Sequence, residues 1–214
     1  MGARGKSTAT AALAALALTL TTTARAKSPL DEIDAEPAVS WTAQASASAT
    51  SFVGRLSTRN AENEIPLALG ASLYGGARAT QWLTLVAWGG YGTGAACAGC
   101  TNHWIRVGGE AQVRPLRHPR FQPWVGLGAA WDYLRSTRSG TIVGTHTFTG
   151  VEIARVTLAL DVRIASAMAL TPFLDAAVGR YGGATTTGDV PPLPDAPSVH
   201  GTYGGGVRLV LGRP

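Results

Sequence analysis

Arginines and carboxylates recur at alternate positions of otherwise apolar segments: Arg106, Glu110 and Arg114, then Asp132, then Arg155, Asp161 and Arg163, then Asp175, then Arg208. A planar guanidinium fork matches a carboxylate in bidentate fashion, so such a set suits a network of charge-assisted hydrogen bonds. Two uses are open to it: relaying protons or ions, or filling and stabilising an interior. Filling is the simpler expectation, because a buried charge is costly unless a partner is close.

Other chemistry has less to work with. The only two cysteines lie in Cys97-Ala-Gly-Cys100, with His103 nearby as a third metal-ligand candidate. No βαβ pattern flanks them to suggest thioredoxin-like exchange, and Thr101 stands where haem attachment needs a histidine. A local Cys97–Cys100 disulfide in an oxidising compartment is the expectation, with neither metal nor cofactor. His103, His118, His146 and His200 fall at strand ends or in connections, and none has a serine and an acid arranged as in a hydrolase. They read as solvated loop residues. The glycine runs at 182–183 and 204–206 open no helix, so they are not phosphate loops. A non-enzymatic protein is expected.

The elements that must position the charges are strands. Period-two alternation predicts eight of them: about 39–52, 67–74, 82–91, 104–114, 121–134, 151–164, one around 173–179 and one around 203–211. On the fourth, Ile105, Val107, Ala111 and Val113 oppose Arg106, Glu110, Gln112 and Arg114. On the sixth, Ala154, Val156, Leu158, Leu160 and Val162 oppose Arg155, Thr157, Asp161 and Arg163. The first is rich in Ala and Ser, which are poor strand formers. Connections near 75–81, 115–120 and 165–169 are tight, whereas those near 53–66, 92–103, 135–150 and 182–198 are longer and rich in Gly, Thr, Asn and Pro. Long and short connections in alternation are what an all-β, eight-stranded antiparallel up-and-down transmembrane β-barrel requires.

Periodicity alone does not say which face meets lipid, since a soluble barrel and a membrane barrel invert each other. The composition of the faces decides. The polar phase mixes small residues, among them Gly70, Gly108, Gly126, Gly204 and Gly206, with charges of both signs. In a barrel this narrow the interior is filled by side chains, so small residues leave room for arginines that bond facing carboxylates. Trp41, Tyr91, Trp104, Phe121, Trp131, Tyr133 and Tyr203 lie near strand ends and are expected to form two interfacial girdles.

At the N-terminus, basic Arg4 and Lys6 precede an apolar run from Ala9 to Leu20 and an Ala24-Arg25-Ala26 cleavage site, the pattern of an export signal over residues 1–26. Loss of Arg4, Lys6 and Arg25 lowers the formal charge of +5 to +2, too near neutral for a nucleic-acid partner. Residues 27–38 contain Asp31, Glu32, Asp34 and Glu36 and read as a flexible acidic lead-in to a barrel over 39–214. An exported N-terminus puts the tight turns in the periplasm and the long loops outside.

The stretches FQPWVGLGAAWDYL at Phe121 to Leu134 and YGGGVRLVLG at Tyr203 to Gly212 resemble small outer-membrane β-barrel proteins of the OmpA/OmpX/OmpW-like type. The resemblance implies a Gram-negative cell outer membrane as location. It also implies a role among envelope structure, adhesion and conduction of small solutes. The expected protein is a monomer in contact with outer-membrane lipid and lipopolysaccharide, its lumen filled and its long loops free to meet an extracellular ligand. The alternatives are a narrow channel for a small or apolar solute and a lipid-modifying outer-membrane enzyme.

Overall fold

The computed structural model describes residues 40–56, 59–61, 65–94, 99–116, 120–139, 143–193 and 197–212. The chain divides into two units, Met1–Glu36 and Pro37–Pro214, and every described residue belongs to the second. The expected export signal and acidic segment lie outside the described residues.

Eight strands form the wall: β1 (Trp41–Leu56), β2 (Ala68–Arg78), β3 (Leu83–Gly94), β4 (Cys100–Val113), β5 (Phe121–Arg138), β6 (Gly144–Ala165), β7 (Met168–Gly188) and β8 (Ser198–Leu211). Each pairs antiparallel with the next, and β1 pairs with β8 from Ala43↔Leu211 to Gly54↔His200, which closes the ring. A two-residue strand, Arg59–Asn60, folds back on the outer end of β1. Closure leaves no long edge with unpaired backbone groups, the condition for crossing a bilayer with strands. It also explains β1, whose Ala and Ser residues favour strand weakly. Neighbours on both sides satisfy its backbone, and that pairing overrides the low propensity.

The outer surface is apolar. Leu69, Leu73, Leu85, Val107, Leu127, Leu158 and Leu174 are all exposed on it. Trp41, Trp82 and Phe121 border this belt at the end carrying the barrel termini, and Tyr91, Trp131 and Tyr203 border it towards the other. Phe121 and Trp131 are both on β5; ten residues at about 3.3 Å each, tilted about 40°, separate the borders by about 25 Å, the height of a lipid-facing band. Water contact over so much apolar area would be a large penalty, and a bilayer removes it.

Three expectations need correction. First, β5, β6 and β7 are 18, 22 and 21 residues long, against 11 and 12 for β2 and β3, so most of the connection expected at 135–150 and the first part of that expected at 182–198 are strand. Thr and Gly there read as loop, yet Thr137↔Thr145, Thr145↔Thr187 and Thr147↔Thr185 are ladder pairs, and β-branched Thr fits a pleated surface. At this tilt β6 rises to roughly twice the height of the lipid-facing band.

Second, irregular pairing at Glu152/Ala154 breaks the alternation of β6, so Glu152 and Arg155, three residues apart, both face inward. A bulge adds one residue to one strand and re-aims the side chains beyond it. Third, Trp104 belongs to no girdle. It is buried in the lumen, while Trp82 stands outside.

Candidate functional site

Inward positions of all eight strands meet in a lumen arranged in tiers. At the end near the barrel termini, Asp161 on β6 accepts hydrogen bonds from Trp124 Nε1 at 2.8 Å and Thr171 Oγ1 at 2.7 Å, and lies 3.4 Å from Arg114 Nη2. Arg114 also donates to Thr84 Oγ1 at 2.9 Å and Gln112 Oε1 at 3.2 Å. One pleat further in, Glu110 accepts from Gln112 Nε2 and Thr157 Oγ1, both at 2.8 Å, with Arg208 Nη1 at 3.5 Å. Arg208 donates to Gln44 Oε1 at 3.0 Å, and its guanidinium carbon lies 4.0 Å from the centre of the Tyr74 ring.

Above this, Arg155 pairs with Asp175 at 2.6 Å and Glu152 at 3.6 Å, while Arg106 pairs with Glu152 at 3.0 Å. Arg106 also lies 3.5 Å over Trp104, and Arg155 lies 4.6 Å over Trp88. Aromatic faces are weakly negative, so they supplement the carboxylates where further ones would not fit. His200 Nε2 is 3.4 Å from Asp132 Oδ2, and its ring stacks on Tyr181 with centroids 4.1 Å apart.

The tier furthest from the barrel termini is apolar. Phe52, Leu56, Ile65, Leu134, Phe148 and Tyr181 pack into one cluster with Trp104. Phe52 meets Trp104 edge-on at 4.5 Å between centroids. An enclosed cavity beside Arg106, lined by Ser48, Gly70, Ser72 and Gly90 among others, measures about 10 Å³, close to the room one water needs. Small residues also seat the large ones: a Cβ at Gly126 would lie 2.8 Å from Glu110 Cδ.

Of the nine charges singled out in the sequence, Arg106, Glu110, Arg114, Asp132, Arg155, Asp161, Asp175 and Arg208 are buried here. Arg163 is not. It keeps the inward phase, paired with fully buried Ala169, but stands at the mouth of the lumen beside the tight β6–β7 turn and is exposed there, and its backbone N donates to Arg120 O at 3.1 Å. Glu152 belongs to the set and was hidden by the bulge. His200, expected in a solvated loop, is buried because β8 begins at Ser198. His146 is buried as well. Cys100 opens β4 and is disulfide-bonded; Cys97 lies outside the described residues, as does His118. His103 instead meets the Tyr91 hydroxyl through Nδ1.

A closed ring of eight antiparallel strands, an apolar exterior and an ionic lumen together make up the fold of small outer-membrane β-barrels. Solved structures share the fold, among them two that align over most of this chain. Neisserial surface protein A (NspA) aligns with a TM-score of 0.53 at 13% identity, over 78% of this chain and 95% of its own. The outer membrane protein OprG from Pseudomonas aeruginosa aligns with a TM-score of 0.52 at 10% identity, over 83% of this chain and 97% of its own. At such identities the likeness is one of fold. No protein-family model matches the sequence, and no curated protein matches it significantly.

Proposed function

We propose that this barrel is a non-conducting scaffold that carries the outer extension of β5–β7 beyond the membrane for envelope structure, adhesion or binding. The filled lumen carries the reading. Ion pairs occupy its lower tiers, an apolar cluster occupies the upper one, and the enclosed cavity beside Arg106 has room for about one water. That filling counts against a channel for a small solute. The extended strands are a rigid way to hold a surface away from the lipid, since paired backbone resists bending better than a loop of equal length.

Two measurements test this. Purified protein in a planar bilayer should give no conductance steps, and regular single-channel steps would overturn the non-conducting reading. An epitope inserted after Ser139, at the end of β5, should be labelled by antibody on intact cells; labelling only after permeabilisation would overturn the outward presentation. The same reading gives the protein no catalytic role, so lipid A from cells with and without it should have the same mass spectrum.

A further inference from the structure

Charge is sorted between the two faces of this wall. Among the described residues every carboxylate except Asp189 lies in the lumen, whereas Arg55, Arg120, Arg135, Arg138, Arg163 and Arg180 are exposed. Two of these cations share one outward face. The ladder runs Trp131↔Val151↔Arg180 across β5, β6 and β7, and Arg135↔Thr147↔Thr185 lies four residues further out. No carboxylate among the described residues forms an ion pair with Arg135 or Arg180.

Between the two cations the wall is notched. The register skips Gly182 where Thr149↔Gly183 gives way to Gly150↔Tyr181, leaving an outward depression of about 300 Å³ lined by Trp131, Thr149, Val151, Arg180 and Gly182. The notch sits at the border marked by Trp131, where acyl chains give way to polar headgroups. Arg180 has its stem beside apolar residues and its guanidinium free to reach the interface.

We propose that this notch binds the phosphorylated saccharide headgroup of an outer-leaflet glycolipid. One phosphate pairs with Arg180 and a second with Arg135, the sugar rests on Trp131, and the Thr149 and Thr185 hydroxyls are within the same face to serve its oxygens. Ladder spacing puts the two arginine Cα atoms roughly 15 Å apart, so two flexible arms suit two phosphates better than one. Phosphate is also the anion that an exterior stripped of its own carboxylates lacks. The inference rests on the outward orientation of β5–β7 and is independent of whether the lumen conducts.

The test uses the full-length protein extracted in mild detergent, with native mass spectrometry counting bound diphosphoryl lipid A. Wild type should retain one molecule, and Arg135→Gln with Arg180→Gln should lower retention by about tenfold or more, the loss of charge-assisted contacts at a partly wet site. Gly182→Leu should also lower it by filling the notch. A Cβ at Gly182 meets only Thr149 O, at 3.9 Å, so the wall tolerates that variant. Heat-dependent gel mobility reports folding of each. Unchanged retention in the variants, equal retention of dephosphorylated lipid A, or displacement by millimolar inorganic phosphate would each overturn the proposal.

Discussion

The lower and upper tiers of the lumen do the same job by different physics. Below, Arg114, Arg155 and Arg208 are held by Asp161, Asp175, Glu152 and Glu110. Above, Phe52, Leu56, Leu134 and Phe148 fill space with carbon. An apolar plug needs only the right volume, whereas an ionic plug fails when any one partner is missing. The comparison teaches that this barrel is most vulnerable where it is most polar, and that its outer end is the more tolerant of change.

Arg155→Leu should break the comparison hardest. It leaves Asp175 without its 2.6 Å partner and weakens the hold on Glu152, both almost fully buried. A loss of about 3–5 kcal/mol is expected, read as a lower urea midpoint in detergent. Pairing Arg155→Met with Asp175→Leu should recover most of that loss, because the uncompensated charge is then gone.

Leu134→Ala in the upper tier should cost about 2–4 kcal/mol through the cavity it leaves. Its planar-bilayer traces should stay silent, since the ionic tiers still close the lumen; conductance would mean that the apolar cluster is the only seal. Gly126→Ala is expected to cost about 1–2 kcal/mol by forcing Glu110 off Arg208 and Gln112. The smallest effect is at Arg163→Ala, an exposed rim position, within about 0.5 kcal/mol of wild type in the same assay. A larger loss there would show that the rim arginine is tied into the wall.

How far the site was legible depends on where alternation holds. On β4 and β5 the inward set of Arg106, Glu110, Gln112, Trp124 and Asp132 coincides with the polar phase, because the irregularity opposite Gly128 and Ala130 adds its extra residue to β6, and β5 itself keeps sending alternate side chains to opposite faces. On β6 the same rule hid Glu152, and it gave Arg163 its inward phase without showing that the position lies at the exposed rim. A bulge depends on pairing with both neighbours and leaves no mark on one strand's own pattern. Trp104 and His200 illustrate a second limit: aromatic and imidazole rings suit either an interface or an interior. Their depth depends on where each strand starts.

Chain composition and period two determined the strand count, the meander and the face turned to lipid, because each of those is a local property of alternating side chains. Strand height, the bulges and the partner of every charge were decided only in the closed ring. Register there is a joint property of two neighbours for each strand, so Thr-rich segments that read as loops became ladder, and carboxylates far apart in the chain met their arginines across the lumen.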